Sequence, residues 1–141
     1  MNYLNEEIML KEITEDYINI MQECNEEKFK GLWHPDARMF GMGNANQLNI
    51  MNRDDIIKYS INGLKSLKDQ LPNPGEIKFT IDEIIRIQHI DGVIANVELK
   101  WHMQLPGSLG KHHTFIQYAK YDNMWYIVNV LDRGLEIEEE K

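Results

Sequence analysis

Apolar residues recur every three or four positions through the start of the chain, and this spacing predicts an amphipathic helix over about residues 4 to 24. The apolar stripe has acidic residues between its members and runs through Met9, Ile13, Tyr17, Ile20 and Cys24. A period near 3.6 residues places such side chains on one helix face, where they pack against the rest of the protein.

Two further helices are predicted before the middle of the chain. The segment "EEKFKGLW" follows Asn25, a capping residue type, and Pro35 ends its helical pattern because the residue before a proline is pushed out of helical geometry. "ARMF" then begins a short strand, and the glycines of "GMGN" predict a turn. The third helix begins after Asn52, with Asp55 placed for a capping box, and "LPNPGE" ends it.

From residue 76 onwards the period changes to two, which predicts β-strands. The apolar face of the first strand is predicted to carry Ile77, Phe79, Ile81, Ile85 and Ile87. "DG" at 91–92 indicates a hairpin, and "VIANVELKWHM", "HHTFIQYAKY" and "MWYIVNVLD" supply three more strands. Helices followed by antiparallel strands predict an α+β fold with the helices on one face of the sheet.

The last two predicted strands are apolar on both faces. Strict alternation puts His113, Phe115 and Gln117 on one face together with Trp125 and Asn129. The other face is predicted to carry Ile116, Tyr118, Tyr126, Val128 and Val130. Since a wet sheet face is normally polar, both faces should be covered, one by helices and the other by a second copy of the chain. The residues of this second face are therefore the predicted homodimer interface.

The composition of the chain limits the kinds of molecule that the protein is expected to bind. The 141 residues fit one domain over 1–141, and no apolar run approaches the ~18 residues of a membrane helix. The net charge of −8 argues against nucleic acid and against an anionic membrane surface, which repel an acidic protein. The single cysteine, Cys24, excludes an internal disulfide, and the acidic N-terminus does not resemble a secretion signal. A cytoplasmic protein is expected.

The segment "FKGLWHPDARMFG" after the first helices resembles the nuclear transport factor 2-like superfamily, which also has a cystatin-like α+β fold and a SnoaL-like branch. "YAKYDNMWYIVNVLDRG" is similar to that superfamily's last two strands, and its "NMWYIVN" part looks most like the lumazine-binding-like branch. The resemblance spans nearly the whole chain. It implies a cone-shaped domain in which three N-terminal helices pack on a curved antiparallel sheet, with an apolar pocket between the helices and the concave face. The superfold hosts many chemistries, so the resemblance implies no single function.

Ketosteroid isomerase, a member of this superfamily, allows a comparison residue by residue. Tyr17 stands at the position of its oxyanion-hole tyrosine, and Gln117 stands near its second oxyanion donor. Its general-base aspartate falls on Gly41. The resemblance therefore argues against steroid isomerisation by this route, while Tyr17 and Gln117 keep their capacity to hold a ligand.

The histidines are weighed as acids, bases and metal ligands. His34 and Asp36 are more simply explained as hydrogen-bonding groups at a helix-to-strand corner than as catalysts. His112 and His113 are adjacent and so point to opposite sheet faces, and no histidine spacing resembles a zinc site. No metal or cofactor is predicted. His113 and Gln117 are four residues apart on one strand, so both are expected to face the pocket. His113 is then either an acid–base group or a hydrogen-bonded histidine at the sheet rim.

The candidate site therefore combines two catalytic residues, His113 and Tyr17, with a ligand-binding set. That set is Trp101, Gln117, Asn129, Met42 and Trp33. Buried amides need partners, which here are either a ligand or each other. Two functions remain open. One is a domain that binds a small aromatic or polycyclic molecule, with a lyase, isomerase or cyclase as its enzymatic form. The other is a non-catalytic dimerisation or protein-interaction module.

Overall fold

The computed structural model of the protein describes residues 3–42 and 47–139, with side chains over 5–42 and 47–134. Its helices are α1 (Tyr3–Glu23), α2 (Glu26–Gly31), α3 (Arg53–Ile57) and α4 (Gly63–Gln70), with a π-helical turn at Lys58–Asn62 and a 3₁₀ turn at Pro74–Glu76. Its strands are β1 (Trp33–Met42), β2 (Leu48–Asn52), β3 (Lys78–Ile90), β4 (Ile94–Leu105), β5 (Ser108–Tyr121) and β6 (Met124–Glu139). No helix among these residues is both long and apolar enough to cross a membrane.

The three predicted helical regions are confirmed, and the caps predicted for α2 and α3 are present. Met9 of the predicted α1 stripe is instead 40% exposed, and α2 ends at Gly31, before Pro35, which lies in β1. Asn25 caps α2 by accepting a hydrogen bond from the Lys28 backbone N–H over 3.1 Å. Asn52 and Asp55 form the capping box of α3, with donor–acceptor distances of 2.9 and 3.3 Å. From α3 the chain continues through the π-helical turn into α4, so the third predicted helix is one interrupted helical segment.

The strands form one six-stranded sheet in the order β2-β1-β6-β5-β4-β3, and β1 runs parallel to β6 while the other neighbours are antiparallel. Strand β2 was not predicted. Within the predicted "GMGN" turn, Gly41 and Met42 belong to β1, and residues 43–44 lie outside the described residues. Strand β6 extends to Glu139, beyond the end of its apolar pattern.

Irregular register in β3 explains why its predicted apolar face was partly wrong. The pairing of β3 with β4 shifts between Ile81 and Glu83 and again between Ile84 and Arg86. Each shift is a bulge that adds a residue to one strand and bends the sheet. Consequently Ile81, Ile84 and Ile87 are half-buried, while Ile85 is exposed. These bends help to curve the sheet around the helices.

The predicted face of β5 is reversed, and a bulge in β6 reverses the predicted face of that strand from Asn129 onwards. Gln117 pairs with Asn129, but the next residue, Tyr118, pairs with Ile127, so Val128 is an extra residue. The helix-facing side of these strands is buried and carries Thr114, Ile116, Tyr118, Trp125, Ile127 and Val130. The predicted dimer interface is therefore wrong for Ile116, Tyr118 and Val130, which are core residues. Its other two members, Tyr126 and Val128, are half-buried.

Candidate functional site

A chain of hydrogen bonds joins three strands on the helix-facing side of the sheet. The Trp101 indole N–H donates to Thr114 Oγ1 over 2.9 Å. The Thr114 hydroxyl in turn donates to Asp132 Oδ1 over 2.6 Å. His112 Nδ1 lies 3.0 and 3.2 Å from the two Asp132 carboxylate oxygens. Trp101 is on β4, His112 and Thr114 are two residues apart on β5, and Asp132 is on β6, so the sheet itself sets their geometry.

This arrangement fixes the orientation and the tautomer of the His112 ring. Because a carboxylate accepts hydrogen bonds, the proton of neutral His112 is held on Nδ1, and Nε2 carries the lone pair. The Trp101 ring stacks on the imidazole at a centroid distance of 4.3 Å and an interplanar angle of 13°. His112 Nε2 makes no hydrogen bond with any residue that the structure describes. An oriented imidazole with an unpaired Nε2 is the arrangement of a general base.

Tyr17 approaches the same region from helix α1. Its side chain is 2% exposed and packs on Phe29 and Trp33 at centroid distances of 5.8 and 5.9 Å. Burial raises the pKa of the Tyr17 phenol far above its usual value, and the Asp132 and Tyr118 side chains raise this pKa further. The group therefore stays protonated, as a hydrogen-bond donor. Its hydroxyl has no hydrogen-bond partner among the described residues.

Tyr118 is also buried, but its hydroxyl group has a hydrogen-bond partner. Its hydroxyl lies 2.7 Å from Thr14 Oγ1, and Thr14 donates its own proton to the Leu10 carbonyl over 2.7 Å. Tyr118 therefore donates to Thr14. Burial raises the pKa of Tyr118, and the hydrogen bond with Thr14 partly opposes that rise. Tyr118 is a satisfied core residue.

The predicted inward position of His113 and Gln117 is wrong. His113 is on the opposite sheet face, where its Nε2 lies 2.7 Å from Glu98 Oε2 and its ring stacks on Phe115 at 5.6 Å. Gln117 is exposed and accepts a hydrogen bond from Asn129 Nδ2 over 2.9 Å. The two amides satisfy each other, which was the simpler of the two alternatives.

The other predicted residues are distributed over the molecule. Trp101 is 5% exposed and belongs to the hydrogen-bonded chain, as described above. Met42 and Trp33 stand at opposite ends of β1 and so do not line one site together. His34 Nδ1 accepts a hydrogen bond from the Asp36 backbone N–H over 3.0 Å, which confirms the interpretation of this pair as a corner.

Sequence reasoning missed His112, Thr114 and Asp132 as site residues. The available signal was the alternation of side chains along β5. Thr114, Ile116 and Tyr118 point to one face and have the composition of a core face. His112, two residues before Thr114, points to the same face. Asp132 is not adjacent to these residues in sequence, and its pairing with Thr114 appears only once the register of β5 and β6 is known. Among the described residues, no group of three or more His, Cys, Asp or Glu side chains is arranged to hold a metal ion.

The fold and the half-buried histidine–carboxylate pair define a cone-shaped α+β domain with a polar cluster on its concave face. The sequence matches the family described as "Putative lumazine-binding" over residues 5–131. The chain belongs to this family, and its fold is that of solved proteins described as NTF2-like. No curated protein matches the sequence.

Solved structures of the same fold cover almost the whole chain. An NTF2-like protein of unknown function from Shewanella baltica OS155 is 17% identical, with 96% of this chain and 98% of that one covered and a TM-score of 0.71. A protein titled "Putative Scytalone Dehydratase" from Novosphingobium aromaticivorans is 16% identical, with coverages of 98% and 89% and a TM-score of 0.72. The hexachlorocyclohexane dehydrochlorinase LinA-type3 from Novosphingobium barchaimii is 11% identical, with coverages of 97% and 91% and a TM-score of 0.75. At these identities the likeness shows a shared fold.

Proposed function

We propose that the protein binds a small organic molecule between the helices and the concave sheet face, and that it catalyses a proton-transfer reaction of the lyase, isomerase or cyclase type. The observation that carries this proposal is the His112–Asp132 pair, which is oriented by Trp101 and Thr114 and leaves Nε2 unpaired among the described residues. Trp101 and Tyr17 place two buried aromatic rings between the helices and the sheet, and aromatic residues with few polar groups are typical of sites for apolar ligands.

In this mechanism His112 Nε2 removes a proton from a carbon next to a carbonyl group of the ligand. The electron pair of the broken C–H bond moves onto the carbonyl oxygen, and Tyr17 stabilises the resulting charge by donating a hydrogen bond. Asp132 stabilises the imidazolium that forms. In an isomerisation the proton returns to another carbon, whereas in an elimination the electron pair expels a leaving group.

The comparisons support the chemical class of this proposal. The family description names lumazine, a polycyclic molecule, as a ligand. The names of two structurally similar proteins, a dehydratase and a dehydrochlorinase, denote eliminations. The cytoplasm is the location that we propose, since a single cysteine suits a reducing compartment.

Deuterium incorporation tests the proposal without knowledge of the substrate. The protein is incubated in D₂O with a panel of cyclic and aromatic ketones, and loss of the C–H signals is followed by ¹H NMR. We expect exchange with at least one compound and a loss of about 10²-fold or more with His112→Gln, because a general base contributes about that factor. The matched control is His102→Gln, since His102 also lies 2.8 Å from a carboxylate, Asp82, but in an exposed pair. Equal rates for the wild type and His112→Gln would overturn the assignment.

A second candidate function, a non-catalytic dimerisation module, is favoured by the outer face of the sheet. A groove of about 530 Å³ lies there and is lined in part by Ile90, Ile94, Ala119 and Val128. Ile90 and Ile94, at the ends of β3 and β4 beside their hairpin turn, are 62% and 49% exposed and add apolar surface to this groove. The proposed homodimer uses this face, with Val128 and Tyr126 retained from the predicted interface.

A further inference from the structure

The corner between α2 and β1 carries buried donors that have no acceptor. Trp33 is 2% exposed, yet its indole N–H makes no hydrogen bond with any described residue. The same holds for the buried Nε–H of Arg53, at the start of α3. A buried polar group without a partner costs about 1–3 kcal/mol, so such groups are uncommon in proteins unless something binds them.

Both side chains line one open groove of about 630 Å³ outside the His112 site. Arg53 makes neither a hydrogen bond nor an ion pair with another described residue, and the same is true of Lys30, which also lines the groove. One carboxylate, Glu27, also lines the groove, and it lies beyond ion-pair distance of both cations. The groove thus presents two unpaired positive charges and one negative charge.

The remaining wall adds one more donor and aromatic surface. Because His34 Nδ1 accepts the Asp36 N–H, the proton of the neutral ring is on Nε2, which has no partner among the described residues. The His34 ring packs on Tyr121 at 5.5 Å, and Tyr121 packs on Tyr126 at 6.4 Å. These tilted rings form an aromatic surface beside the donors.

We propose that this groove is a binding site for a small molecule carrying an oxyanion, a carboxylate or a phosphate, on a planar apolar body. The oxyanion accepts hydrogen bonds from Arg53, whose planar guanidinium fork matches both groups, and it lies near Lys30 and beside the buried Trp33 indole. The body of the ligand lies against His34, Tyr121 and Tyr126. This site shares no residue with the proposed catalytic pair, so the proposal for the groove does not depend on the proposed reaction.

The test is a titration of the full-length ¹⁵N-labelled protein with inorganic phosphate, benzoate and phenyl phosphate at fixed ionic strength. The reporter is the Trp33 indole N–H signal, distinguished from those of Trp101 and Trp125 by Trp33→Phe or by sequential assignment. We expect a saturable shift of this signal, with phenyl phosphate or benzoate binding more tightly than inorganic phosphate. Tighter phenyl phosphate assigns the oxyanion as phosphate, and tighter benzoate assigns it as carboxylate.

Substitutions distinguish a specific binding site from a nonspecific attraction between opposite charges. Arg53→Gln should weaken binding about tenfold or more, and Arg53→Lys should also weaken it, because lysine keeps the charge but lacks the planar fork. Arg86→Gln on β3 is the matched control, with the same charge change and an expected effect below about twofold. His112→Gln should bind as the wild type does. The proposal is overturned if the Trp33 signal shows no saturable shift, or if Arg86→Gln weakens binding as much as Arg53→Gln.

Discussion

Two buried tyrosines with raised pKa, Tyr17 and Tyr118, differ in the hydrogen-bond partner of the hydroxyl group. Tyr118 donates to Thr14, whereas Tyr17 has no hydrogen-bond partner among the described residues. A hydroxyl that contributes nothing to the internal network is available to a ligand. The difference between these residues therefore distinguishes a structural tyrosine from a functional one.

This contrast gives a matched pair of substitutions. Tyr17→Phe should change the free energy of unfolding by less than about 0.5 kcal/mol, because no internal hydrogen bond is lost, and should slow deuterium exchange about tenfold or more. Tyr118→Phe should cost about 1 kcal/mol and leave exchange unchanged. Urea denaturation and ¹H NMR measure the two quantities. The roles are wrong if Tyr118→Phe is the variant that slows exchange.

At the scale of elements, the N-terminal end of α1 is attached to the sheet by one carboxylate. Glu6 accepts hydrogen bonds from Lys120 Nζ over 2.8 Å and from Trp125 Nε1 over 3.0 Å. The hydrogen bond from Lys120 is the main cause that lowers the pKa of Glu6 below its ordinary value of 4.5, and burial partly opposes it. One side chain thus joins α1 to β5 and β6.

The lowered pKa of Glu6 predicts a specific pH dependence of stability. A carboxylate with a depressed pKa in the folded state stabilises the protein above its unfolded-state pKa, and this contribution is lost as the pH falls through the folded-state pKa. Glu6→Gln should therefore be less stable than the wild type by about 1–2 kcal/mol at pH 7, with the difference shrinking below about pH 4.5. Urea denaturation across this pH range measures it. Glu7→Gln, an exposed neighbour, is the control, and a difference that stays constant down to pH 3 would contradict the linkage.

Most elements could be predicted from the sequence, but the faces of β5 and of the second half of β6 could not. The helical periods and the Asn25 and Asn52 caps are local signals, and each is confirmed by a local contact. The two alternating sets of residues in β5 are similarly hydrophobic, so the sequence did not show which set faces the helices. The bulge at Val128 depends on how β6 pairs with β5, which no local period encodes. The His112–Asp132 pair was missed for the same reason.

At the scale of the whole molecule, the outer sheet face is the surface where self-association is proposed. Helices cover the concave side, so the curved sheet leaves its outer side to solvent or to a partner. Exposed Ile90 and Ile94 lie beside Ala119 and Val128 on this side, and a second copy would bury all of them at once. A stable interface removes roughly 800 Å² of accessible surface from each partner.

A charge placed on that face should therefore separate the protomers. Ile94→Glu should convert a dimer to a monomer in sedimentation-velocity experiments, because pairing would bury an unpaired carboxylate in each copy. Ile8→Glu is the matched control, since Ile8 on α1 is 47% exposed against 49% for Ile94 and lies away from the outer face. Retained deuterium exchange in the monomeric Ile94→Glu variant would show that catalysis does not need the dimer. A wild-type protein that sediments as a monomer at all concentrations would instead remove the main support for the dimerisation module and leave the enzyme proposal standing.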